Sequence, residues 1–188
     1  MRRRVIKALF VLVVLAGGLF VLVVLTSRTF RVASSAMEST LHCAKPAEGC
    51  EAGHADRVLV SKVVYRLRDP RRGDIVAFRI PETGTFACNS FFGEVFLKRI
   101  VVMPGERWKE QGGFIYVNGK KLDEPYVKRN SRDTVEIPPS RVPKGQYVLL
   151  GDNRSSSCDS RQWGPAPRKN LIGPLVATYW PLSRISIR

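Results

Sequence analysis

The sequence predicts a mostly β fold behind one N-terminal transmembrane helix. Three observations carry this. Beyond the polar stretch 42–56, apolar residues come in short runs broken by turn formers, and no helical periodicity is sustained. Asn118-Gly119, between Tyr116-Val117 and Lys120-Lys121-Leu122, is a two-residue hairpin signal. Residues 8–25 form a single uncharged run, apolar except for Gly17 and Gly18.

The anchor comes first. As a helix, eighteen residues reach about 27 Å, near the hydrocarbon thickness of a bilayer. Arg2, Arg3, Arg4 and Lys7 precede the run and favour a cytoplasmic N-terminus, with the rest of the chain outside. A cleaved secretory signal would have a shorter apolar region and a small-x-small cleavage site. Thr26-Ser27-Arg28-Thr29 is a poor such site, so a retained anchor is expected. Residues 1–27 are thus read as basic tip and anchor, and 28–188 as an extracytoplasmic β-rich domain.

Strands are expected at 58–65, 74–79, 95–103, 114–117, 147–150, 172–180 and 184–187. Twelve prolines and repeated Gly-Asp turns support the all-β reading. Residues 83–93 and 127–145 read as surface loops.

Net charge is +15. The cations are scattered, with neither a basic helix nor a basic-aromatic repeat, so nucleic acid is not the expected partner. An anchored basic domain gains attraction to anionic lipid, which makes the bilayer the expected surface. Four cysteines, none in a C-x-x-C pair, argue against zinc and fit disulfides in an extracellular domain. Three pairings exist. Cys43–Cys50, closing a short loop through Pro46 and Gly49, is favoured, and Cys88–Cys158 follows by elimination. Both histidines, His42 and His54, lie in the cysteine-bearing insert, which gives little support to a histidine-based triad.

Five segments occur in a fixed order behind the anchor. They are Ala33-Ser34-Ser35-Ala36-Met37-Glu38-Ser39-Thr40-Leu41, Arg72-Gly73-Asp74-Ile75-Val76-Ala77-Phe78, Lys98-Arg99 with Pro104-Gly105-Glu106, Gly151-Asp152-Asn153-Arg154 running on to Ser157-Cys158-Asp159-Ser160-Arg161-Gln162-Trp163-Gly164, and Ile172-Gly173. Together they resemble the type I signal peptidases over most of residues 30–180. The resemblance implies a pair of coiled antiparallel sheets, with any added β subdomain reduced in the short 107–145 region. It also implies an endopeptidase at the plasma membrane that removes signal peptides from exported preproteins with a Ser/Lys dyad and no metal or cofactor.

The chemistry of such a dyad is physical. A serine hydroxyl needs a base, and lysine in water is protonated at neutral pH. Burial disfavours the ammonium and makes the amine available. Lys98, within Phe96-Leu97 and Ile100-Val101-Val102, is placed for that as general base. By resemblance Ser34 and the backbone N–H of residue 36 form an oxyanion hole, and Met37 lies near the substrate pocket. By the same resemblance Ser157 orients Lys98, while Asp159 and Arg161 form a supporting ion pair. Asp152 and Arg154 read as loop braces and Trp163 as packing.

The nucleophile's position is occupied by Ala36, and a methyl group cannot attack a carbonyl. Ala33 and Ser39 also stand where the motif has prolines. Three explanations fit Ala36: a Ser→Ala substitution made to trap substrate or stop self-cleavage, a naturally inactive relative, or a nucleophile displaced to Ser34 or Ser35. The intact remainder of the motif favours the first, because a buried lysine is costly to keep without a use. Two further readings are an anchored module that binds exported chains without cutting them, and a self-cleaving Ser/Lys repressor. The anchor and the lack of a helical DNA-reading domain argue against the repressor.

Overall fold

The computed structural model describes residues 10, 14, 17, 18, 23, 25–82, 87, 88 and 94–188. The expected anchor over 8–25 and the expected loop over 83–93 fall largely outside that set. Among the described residues, no helix is long and apolar enough to cross a membrane.

The described chain is mostly antiparallel β. An eight-stranded sheet is built from β1 (Ser27–Arg31), β2 (Arg57–Ser61), β3 (Ile75–Arg79), β4 (Val95–Val102), β9 (Gln146–Leu150), β10 (Ala166–Pro167), β11 (Leu171–Trp180) and β12 (Ser186–Ile187). Its order is β1-β2-β11-β3-β4-β9-β10, with β12 against β11. A second sheet, β7-β6-β5-β8, joins β5 (Arg107–Gln111), β6 (Phe114–Val117), β7 (Lys120–Lys121) and β8 (Ile137–Arg141). This small sheet occupies the region where only a reduced addition was expected.

Strand β4 is where the apolar clusters meet. Ile100 packs with Val76, Phe78, Leu149 and Trp163. Leu97 packs against a cluster of Val32, Met37, Leu41 and the Cys43 and Cys50 side chains. Val101 and Val102 pack with Trp108, Ile115 and Val117 of the small sheet. From Lys98 onward every residue of β4 is buried, because both faces of the strand are covered. A side chain at position 98 is therefore dry whichever way the pleat turns it.

The hairpin expected at Asn118-Gly119 forms, with Val117 paired to Lys120. Its two turn residues have φ of 50° and 82°, the left-handed values a type I′ turn requires. Both expected cysteine pairs are bonded, Cys43–Cys50 and Cys88–Cys158.

Three expectations fail locally. The strand expected over 58–65 stops at Ser61, and Val64–Leu67 is a helical turn. Ser61 Oγ accepts from the N–H groups of Val63 and Val64, each at 3.3 Å, which caps the turn despite its β-branched residues. The loop expected over 127–145 contains β8. Its Pro138 and Pro139 lie on an edge strand, where missing N–H groups are tolerated. The expected strand over 184–187 shrinks to β12, since Leu182–Arg184 is a 3-10 turn.

Candidate active site

Residue 36 lies in a buried 3-10 turn, Ser35–Met37, that follows β1. Backbone and side chain of Asn153 hold this turn: its N–H donates to the Ala36 carbonyl at 3.1 Å, and its Nδ2 to the Ser35 carbonyl at 3.1 Å. Glu38, directly after the turn, is also buried. One of its oxygens accepts the Cys43 N–H at 3.0 Å, and the other faces His42 Nδ1 at 2.5 Å. Glu38, His42 and Glu51 bring metal-ligand atom types within 4.8 Å of one another. The Glu38 carboxylate is already held by these protein donors, so its role in the insert is that of a structural tie.

Lys98 is buried opposite Val76 of β3. Its Nζ donates to Ser157 Oγ at 2.7 Å. Burial disfavours the ammonium and lowers its pKa to about 8, with Asp159 pulling upward, Arg161 downward and Asp152 upward. The amine is thus available as a base near neutral pH.

Gly151 joins the turn to the lysine. A Cβ there would lie 2.4 Å from the Ala36 carbonyl oxygen and 2.2 Å from Ser157 Oγ. Only glycine lets these three segments approach so closely. Ser35 Oγ instead lies against Gly49 of the disulfide loop, where a Cβ would come within 2.7 Å of it. Ser34 is exposed and makes no capping bond from its side chain. Of the residues singled out in sequence, Ser157 is thus the one that supplies a hydroxyl to Lys98 among the described contacts.

Behind Ser157 lies a charged network. Asp159 begins the helical turn Ser160–Trp163 with a capping box, in which Gln162 answers the Asp159 N–H at 2.8 Å. Its carboxylate accepts from Gly151 N at 3.0 Å and from Arg161 Nε and Nη2 at 2.8 and 2.9 Å. Burial alone would push Asp159 up, but Arg161, Lys98 and the Ser157 hydroxyl bring it below the ordinary carboxylate value. Arg161 also donates to the Arg154 and Ser157 carbonyls and to Asp133. Asp152 pairs with Arg99, Nε to Oδ1 at 2.8 Å, and Arg154 pairs with Glu124. Trp163 packs in the core.

The structure therefore brings Ala36, Lys98, Ser157, Asp159 and Arg161 around Gly151. Buried Met37 lines a cleft together with Phe30, Val32, Ser34, Val95 and Leu97. Sequence reasoning passed over Asn153, although it sits inside a quoted motif. Glu110, Glu124 and Asp133 carried no sequence signal at all.

A buried amine hydrogen-bonded to a hydroxyl, on an antiparallel β frame, is suited to base-assisted nucleophilic chemistry. The comparisons with known proteins agree with that class. Residues 2–180 match the family described as signal peptidase, peptidase S26, and the chain belongs to it. It is 40% identical over 156 residues to a probable signal peptidase I-2 of Synechocystis, covering 83% of this chain and 64% of the relative. It is 39% identical over 130 residues to a signal peptidase I of Leptolyngbya laminosa, covering 69% of this chain and 63% of the relative. The alignments thus take in a little under two thirds of these relatives. Among solved structures, a signal peptidase I from Enterococcus faecalis is 31% identical with a TM-score of 0.46, covering 57% of this chain and 97% of that one.

Proposed function

We propose that the chain is a membrane-anchored serine endopeptidase framework that acts on signal peptides of exported preproteins, with its nucleophile position filled by Ala36. The observation that carries this is Lys98: a fully buried amine with a pKa lowered to about 8, bonded to Ser157 beside the turn that presents residue 36. In the Ala36→Ser form, neutral Lys98 removes the serine proton as Oγ attacks the scissile carbonyl. The tetrahedral oxyanion is met by the residue-36 N–H and the Ser34 hydroxyl. Collapse forms the acyl-enzyme, and the Lys98 ammonium returns its proton to the leaving amine. Water then hydrolyses the ester by the same base. Ser157 orients Lys98, and the Asp159–Arg161 pair fixes Ser157 and Gly151. The cleft beside Met37 takes the substrate as an added strand.

The names of the relatives support the substrate class, and the basic tip with the apolar run supports the topology: residues 1–27 as cytoplasmic tip and single anchor, 28–188 outside the plasma membrane. With Ala36 the framework binds and does not turn over. Losing the nucleophile of a serine protease costs about a millionfold in turnover. The test is cleavage of a preprotein with an A-x-A site, in detergent, by the Ala36 chain and by Ala36→Ser. Cleavage confined to Ala36→Ser supports the reading. Equal cleavage by both moves the nucleophile elsewhere. Silence of both, on a substrate that a known active signal peptidase cuts, favours a binding module.

A further inference from the structure

Glu110 belongs to β5 of the small sheet, just beyond the Pro104-Gly105-Glu106 segment and outside every motif above. The residue is 1% exposed, and neither carboxylate oxygen has a hydrogen-bond partner among the described residues. A buried carboxyl left without partners is costly, so its retention calls for a reason. Its nearest cation is Arg161, with Oε1 3.8 Å from Nη1. Asp133 occupies the same Nη1 end, while the Nε and Nη2 edge grips Asp159. Asp159 is in turn the strongest charged influence on Lys98.

We propose that Glu110 is a positioning residue for the general base: it loads the Nη1 end of Arg161 and so sets how completely Arg161 neutralises the carboxylate that faces Lys98. The inference rests on the reading of Lys98 as the base and adds a route by which the small sheet reaches it. The groups that face Glu110 are Arg161 and Asp159 of the helical turn, Asp133 ahead of β8, and Arg154 of the Arg154–Ser156 turn. Burial raises Glu110 to about 7, with Arg161 and Arg154 opposing and Asp133 and Asp159 adding to the rise. As pH rises through the Lys98 range, Glu110 passes to its ionised form.

The sign follows from charge. Ionised Glu110 adds negative potential and draws Arg161 from Asp159, and both effects favour the Lys98 ammonium. Removing the Glu110 charge therefore lowers the pKa of Lys98. The experiment is an NMR titration of the full Ala36 chain in detergent micelles with lysine labelled at Cε and Nζ. The Lys98 signal is assigned by its loss in Lys98→Met. Glu110→Gln and Glu110→Leu are expected to lower the Lys98 midpoint by about half a unit, roughly the effect of one charge through intervening protein. Exposed Glu48→Gln is expected to leave it in place.

A Lys98 midpoint that stays put or rises in a variant that still melts cooperatively overturns the proposal. A purely structural Glu110 changes the melt and not the titration. The apolar variant keeps the test open should the amide fold poorly. Because the titration is read on the Ala36 chain, it does not depend on turnover. Failure of Ala36→Ser to cleave would remove the base reading, and the Glu110–Lys98 coupling would still be measured.

Discussion

Two buried cations stand within one site and are treated in opposite ways. Lys98 is wrapped on both faces of β4, and its described hydrogen bond goes to a neutral hydroxyl. Arg161 is just as dry, yet it holds Asp159 with two N–H groups, Asp133 with a third edge, and two backbone carbonyls. Burial disfavours charge in both. At Arg161 the acidic partners more than offset burial and hold its pKa above the ordinary value. At Lys98 burial wins and the value falls to about 8. The difference teaches how one site can hold a fixed charge beside a movable proton: the chain surrounds one cation with carboxylates and gives the other a serine.

The comparison can be broken from the arginine side first. Arg161→Met strips the partner from buried Asp159 and half-buried Asp133. Denaturant unfolding should show a loss of about 3–5 kcal/mol, as for a buried pair with one member removed. A loss below about 1 kcal/mol would mean that the network is slack. The bond Cys88–Cys158 holds Ser157 and Asp159 from between them, and its residues are 70 apart in sequence. Replacing both cysteines by alanine should cost about 2–5 kcal/mol in the same assay.

Lys98→Met sharpens the comparison because its sign is reversed. Folding lowers the lysine pKa from 10.5 to about 8, so the unfolded chain binds that proton more tightly. The penalty is fully present below pH 8 and fades as pH rises toward 10.5. Lys98→Met should therefore stabilise the chain at pH 7 by about 1–3 kcal/mol, with the gain shrinking at high pH. A destabilised variant at pH 7 would mean that the lysine is a structural ion-pair member like Arg161. The smallest effect is expected from Ser157→Ala in the Ala36→Ser background. Loss of one orienting hydrogen bond, worth about 1 kcal/mol, should lower turnover about tenfold and leave substrate binding nearly unchanged.

Much of this was legible in sequence, and particular residues show why. The hairpin at Asn118-Gly119 could be read because its turn chemistry is local. Lys98, Ser157, Asp159 and Arg161 could be named because they sit in motifs. Strand β5, Arg-Trp-Lys-Glu-Gln, was missed because its polar residues hide the alternation, and its inward Glu110 looks like a surface residue until the small sheet packs. Strand β8 was missed because Pro138-Pro139 signals a loop, and only its edge position makes it tolerable. Strand β1 follows the apolar run after Thr26, and its mostly polar Ser27-Arg28-Thr29-Phe30-Arg31 carries no strand signal of its own before it pairs with β2. Val64–Leu67 was misread because β-branched residues outweighed the capping power of Ser61. The charged network behind the site depends on contacts between distant segments, which no local pattern reports.

The central claim is that Lys98 is a base made usable by burial. The measurement that tests it most directly is the pH dependence of kcat/KM for cleavage of an A-x-A preprotein by the Ala36→Ser chain. The expected profile rises with pH and reaches half its plateau near 8, the value set by desolvation of Lys98. The rise should vanish with the activity in the Lys98→Met double variant. A profile flat from pH 6 to 9, or activity that survives Lys98→Met, would contradict the account.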